Sequence, residues 1–135
     1  MMRILHLDEN HPILVEQLAV LGFENIVDTQ SSKEVIAQDI AQYHGLVIRS
    51  RFPIDKPFLQ KAKNLKFIAR VGSGLENIDV KTATEMDIEV LAAPEGSSAS
   101  VGEHALGMLL SLLNKLPQGN KEVRSGKWAR EANRG

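Results

Sequence analysis

The chain has 135 residues, 43% of them hydrophobic and 24% charged, with a net charge of -1 and no cysteine. That length is enough to bury a real core. The charge balance gives no reason to expect nucleic acid or an anionic membrane as partner, and the absence of cysteine excludes disulfides and thiolate chemistry, as fits a reducing cytoplasm.

Ile4-Leu5-His6-Leu7 reads as a short strand; it is too brief an apolar run for a signal peptide, and no stretch approaches the roughly 20 apolar residues of a membrane span. Ile13, Leu14, Leu18 and Leu21 then form a helical stripe over 12–21, closed by Gly22. Residues 25–28 form a second strand. Ser32 caps a helix to about Ile40, with Val35 and Ile36 inward. Gly45-Leu46-Val47-Ile48 is continuously apolar, as a strand buried on both faces should be. A short helix over 55–62 carries Pro57 in its first turn, and 65–69 form a fourth strand. A helix capped by Asp79 runs to Met86, and 88–91 form a fifth strand. Strand and helix alternate five times through short connections. The expected fold is therefore α/β, a flavodoxin-like doubly wound parallel sheet of five strands.

Residues 100–116 differ. Ser100-Val101-Gly102-Glu103 matches a capping box. Apolar residues at 105, 106, 108, 109, 110, 112, 113 and 116 surround the helix instead of lining one stripe, so it needs cover on more than one side. Lys115, Pro117 and Gly119 mark its end. The tail from Gln118 is polar, with Trp128 as its one large anchor.

Parallel α/β sheets bind ligands beyond the carboxyl ends of their strands. Arg49-Ser50-Arg51 follows strand three, and Arg70-Val71-Gly72-Ser73-Gly74 follows strand four. Arginine forks match carboxylate and phosphate oxygens, and glycines let backbone N–H groups converge on an anion. These loops suggest a site for a small acidic substrate. The alternative is that Arg49 and Arg70 are solvated surface charges and the glycines only make a turn. Gly72-Ser73-Gly74 is not a dinucleotide fingerprint, because Asn77 stands where the third glycine belongs and the loop follows the wrong strand. Glu103 and His104 are consecutive helix residues about 100° apart, which does not make an acid/base dyad. His6, His11 and His44 show no metal spacing. Met86 and Met108 read as core, and Asp8 and Glu9 as a solvated loop or helix lead-in.

Four segments carry a resemblance. They are Ile48-Arg49-Ser50, then 68–79 (IARVGSGLENID), then Ala93-Pro94-Glu95-Gly96-Ser97, then 101–110 (VGEHALGMLL). Together they resemble the D-isomer-specific 2-hydroxyacid dehydrogenases, and within them the bacterial D-3-phosphoglycerate dehydrogenases. Arg124-Ser125-Gly126-Lys127-Trp128 is similar to the segment that precedes that family's NAD-binding strand. The resemblance implies a substrate-binding domain over 1–99 and, over 100–135, a helical connector and the start of an NAD-binding domain. It implies an oxidoreductase that, as a complete protein, oxidises a small D-2-hydroxy acid such as 3-phosphoglycerate, in serine biosynthesis. The cofactor would be NAD, bound outside this chain together with the family's catalytic arginine, glutamate and histidine, so this chain alone should be inactive. The positions that carry over as substrate-anion contacts are Arg49, Ser50, Arg70, Gly72, Ser73 and Gly74. Ser97 departs from the asparagine of many members. The implied partners are a small acidic substrate and a second copy, in a cytoplasmic homodimer formed through the 100–116 helix. The rival reading is a non-catalytic flavodoxin-like binding or receiver-type signalling module. A receiver needs an aspartate after strand three, where Arg49 stands, and a lysine after strand five, where Ala92-Ala93 stand.

Overall fold

The structure, a computed structural model, describes residues 1–134. Five strands, β1 (Arg3–His6), β2 (Glu24–Val27), β3 (Gly45–Ile48), β4 (Phe67–Arg70) and β5 (Glu89–Ala92), form one sheet in the order β2-β1-β3-β4-β5. Every pairing is parallel. The helices between them are α1 (Pro12–Val20), α2 (Lys33–Asp39), α3 (Lys56–Lys61) and α4 (Val80–Glu85). This is the flavodoxin-like order read from the alternation of elements.

Local chemistry sets the helix starts. Ser32, Asp55 and Asp79 accept hydrogen bonds from the backbone N–H of Val35, Phe58 and Thr82. The Asp55 carboxylate also takes the Lys33 ammonium at 2.7 Å, and that bond holds its carboxyl below the usual 3.8. Asp28 works similarly at the turn after β2: the Ser31 and Gln30 N–H groups hold its carboxyl low. Arg51 staples this turn to β1 by donating to the carbonyls of Leu7, Asp28 and Ser31.

Alternation along the strands sorts the two faces of the sheet. Leu5, Leu46, Ile48 and Ile68 pack with Ile36, Ile40, Phe58, Leu59 and Ala83 into the main core. Val47, Phe67, Ala69 and Leu91 turn to the other face, where they line a groove with Leu14 and Leu18 of α1. Gly45 pairs with Phe67, and a side chain at Gly45 would run into that ring.

The chain divides into two compact units, Met1–Gly96 and the remainder from Ser97. The long helix departs from the sequence reading. It is α5, Glu95–Leu113, so Ser100 lies inside it and caps nothing. Pro94 ends the extended chain and acidic Glu95 suits a helix N-terminus, although Gly96, Ser97 and Ser98 are weak helix formers. None of its residues is buried, and Met108 is 63% exposed, so it is not core. Met86 does pack against the core. Lys115, at φ 50°, turns the chain into a further helix, α6 (Leu116–Arg124), in what read as a polar tail. Trp128 is 82% exposed. No described helix is long and apolar enough to cross a membrane.

Candidate active-site edge at the carboxyl ends of the strands

The strand registers bring the candidate loops to one edge. Ile48 pairs with Arg70, and Arg70 with Ala92, so Arg49 leaves β3 beside the last residue of β4. Arg70 is thus strand, one residue later than the sequence suggested. The Val71 N–H bonds back to Ile48 O at 2.9 Å, and the Ala93 N–H reaches Gly72 O at 2.9 Å, which ties the fifth-strand loop to the glycine turn.

Arg70 donates from Nε to the Arg49 carbonyl at 3.1 Å. Its two terminal nitrogens, and the whole guanidinium of Arg49, have no acceptor among the described residues. Two cationic forks with free donors therefore stand at neighbouring strand ends. Ser50 and Ser73 are exposed beside them.

The glycines are less bare than their sequence suggests. The Arg70 side chain lies over Gly72, at φ 154°, and leaves no room for a Cβ there. The Glu76 carboxylate similarly lies over Gly74. It is the φ of Gly72 that favours glycine there, since the arginine tip could swing aside.

Three residues of this edge were not anticipated. Asp8, in the loop that leads to α1, is half-buried, and its Oδ2 accepts from the Arg49 N–H at 2.6 Å. Asn10 Nδ2 donates to the Asp8 carbonyl at 3.1 Å. Asn77 Nδ2 donates to the Arg49 carbonyl at 3.4 Å, while its Oδ1 is buried without a protein donor. An acid directly after the first strand was the available signal. Glu103 and His104 are both exposed on α5, and no described group of His, Asp and Glu is arranged to hold a metal ion.

Residues 4–132 match the D-isomer specific 2-hydroxyacid dehydrogenase family, catalytic domain. The chain belongs to that family. It is 40% identical over 110 residues to D-3-phosphoglycerate dehydrogenase of Archaeoglobus fulgidus, covering 82% of this chain and 21% of that protein. It is 36% identical to the enzyme of the same name from Methanocaldococcus jannaschii, over 100% of this chain and 26% of the relative. The chain thus spans about a quarter or less of these curated relatives. Among solved structures, the PH0520 protein of Pyrococcus horikoshii superposes with a TM-score of 0.86 at 24% identity, over 95% of this chain and 38% of that one, a likeness of fold. NAD-bound 3-phosphoglycerate dehydrogenase of Entamoeba histolytica superposes with a TM-score of 0.70 at 26% identity, over 84% and 40% of the two chains.

The residues present do not fit an NAD pyrophosphate. A dinucleotide loop is rich in glycine, follows a first strand and opens a helix. The loop after β1 is Asp8-Glu9-Asn10-His11, with no glycine. The glycine turn after β4 leads into the six-residue α4 only after Asp79, and both of its flanking glycines are covered by side chains.

Proposed function

We propose that this chain is the substrate-binding portion of an NAD-linked D-2-hydroxyacid dehydrogenase. Its ligand is a small acid, with 3-phosphoglycerate the first choice, held at Arg49, Ser50, Arg70 and the 72–74 turn. The observation that carries this reading is the pair of guanidiniums with free donors at adjacent strand ends, in a chain of this family. Each fork can take a carboxylate or phosphate through paired, charge-assisted hydrogen bonds, which fixes orientation as well as affinity. The aspartate and lysine that a receiver module would need are Arg49 and Ala92 here, which disfavours signalling.

In this reading residues 1–99 form the main part of the substrate domain and residues 100–135 lead into the NAD-binding domain. NAD and the acid/base group act from the rest of the complete protein, which works in the cytoplasm. Catalysis needs a cofactor and a proton carrier placed at the substrate. The 135-residue chain alone should therefore show no reduction of NAD with 3-phosphoglycerate, and the full-length protein should show it. Turnover that tracks the isolated chain through purification would overturn the division of labour; a full-length protein inert toward 2-hydroxy acids would overturn the function.

The same reading makes the complete protein a homodimer through the 100–116 region. Leu109, Leu112 and Leu113 are exposed on α5, and each fully buried leucine contributes roughly 1.5–3 kcal/mol. A closed two-fold pair is the simplest way to cover them. Sedimentation equilibrium of the chain should give a mass that rises with concentration toward twice the monomer. A constant monomer mass at every concentration contradicts this.

A further inference from the structure

We propose that Asp8 is a positioning residue for the anion site: it fixes the Arg49 backbone from one side while Arg70 and Asn77 fix it from the other. The inference rests on the reading of Arg49 as a substrate contact and adds to it the group that aims that contact.

The hydrogen-bond ladder between β1 and β3 is interrupted just beyond the strand ends. The Leu7 N–H donates to Val47 O at 2.9 Å, the regular parallel pattern between β1 and β3. The next rung would be the Arg49 N–H to the Leu7 carbonyl. Neither group makes it. The Leu7 carbonyl accepts from Arg51 Nη1 at 3.0 Å, and the Arg49 N–H goes to Asp8 Oδ2 at 2.6 Å. The two strands have parted at this rung, and a side-chain carboxylate stands in for the missing carbonyl.

The opposite peptide of Arg49 is held as well. Its carbonyl accepts from Arg70 Nε at 3.1 Å and from Asn77 Nδ2 at 3.4 Å. Both peptide groups flanking the Arg49 Cα are therefore fixed, which fixes the direction of its Cα–Cβ bond. Asp8 is itself held, since Asn10 Nδ2 donates to its carbonyl. The Asp8 carboxylate pairs with neither guanidinium among the described ion pairs, so it orients Arg49 without neutralising the cations a substrate would meet. An uncharged carbonyl could accept the same bond; a carboxylate makes it the stronger, charge-assisted kind.

The test is a double-mutant cycle on the full-length protein, with 3-phosphoglycerate as the varied substrate. Asp8→Ala should raise KM on the order of tenfold with kcat within about threefold, because aim is lost and not chemistry. Asp8→Asn keeps an acceptor oxygen at the same reach and should recover most of the loss. In an Arg49→Ala background Asp8→Ala should change KM by less than about twofold, since the group it aims is gone. An equal rise in both backgrounds assigns Asp8 to general folding and overturns the inference, with the Arg49 reading intact. If Arg49→Ala alone leaves KM unchanged, the substrate reading fails, and the inference with it. Should Asp8→Ala not fold, Asp8→Ser, which shortens the reach but stays polar, takes its place with the same outcomes.

Discussion

Phe58→Ala should lower the stability of the sheet unit by roughly 3–5 kcal/mol, the usual cost of emptying a buried aromatic site. Phe58 is 1% exposed and sits in the main core with Leu59, Ile54 and Ile48, its ring centroid 5.8 Å from that of Phe52. The site has little freedom to collapse around the hole. The six-residue helix α3 is pinned at its start by the Asp55 cap on the Phe58 N–H. The segment before it is pinned by the bridge between Ile54 and Ile78, where the Ile54 N–H donates to Asn77 O and the Asp79 N–H to Ile54 O, each at 2.8 Å. That bridge also holds Asn77, which reaches the Arg49 carbonyl, so loosening the core here should loosen the candidate site. Urea denaturation of the chain should show a lower midpoint with an unchanged slope. A loss under about 1 kcal/mol would mean that the core repacks and that α3 is not the rigid support described.

Much of the fold was legible because it depends on short-range patterns. The all-apolar run Gly45-Leu46-Val47-Ile48 is buried at every position. Ser32 and Asp79 cap where the sequence placed them. Candidate arginines flanking strands three and four were bound to share an edge once those strands were parallel neighbours, and the register of Ile48 with Arg70 puts them there. What could not be read depends on longer-range or competing effects. The Asp8 contact with the Arg49 N–H joins residues 41 apart in sequence, where the rung beyond β1 and β3 is missing. No local pattern reports such a failure. The Ser100–Glu103 pattern looked like a helix start, but a capping box describes only what a terminus would do if the helix began there. The helix in fact begins earlier, at Glu95. That the Arg70 and Glu76 side chains lie across Gly72 and Gly74 could not be read, because side-chain direction over a turn is invisible in sequence. The apolar residues around α5 lie exposed among the described residues. They do not carry the identity of any cover, and Met108 was read as core for that reason.

The proposed function requires that the guanidiniums of Arg49 and Arg70 bind the substrate through their free donors. The most direct measurement is kcat/KM for 3-phosphoglycerate in the full-length Arg70→Ala variant, taken together with its folding stability. Arg70 presents two terminal nitrogens with no protein acceptor among the described residues, while its Nε is committed to Arg49 O. Its removal therefore takes away a substrate fork and one support of its neighbour at once. A charge-assisted contact of this kind contributes about 1.5–3 kcal/mol, so kcat/KM should fall roughly 10- to 150-fold. Stability should change by less than about 1 kcal/mol, because the side chain is partly solvated and its single backbone bond is shared with Asn77. Arg70→Lys should recover only part of the loss, since a point charge cannot reproduce the fork. A folded Arg70→Ala protein with kcat/KM unchanged would contradict the account and leave Arg70 as a solvated charge at the end of β4.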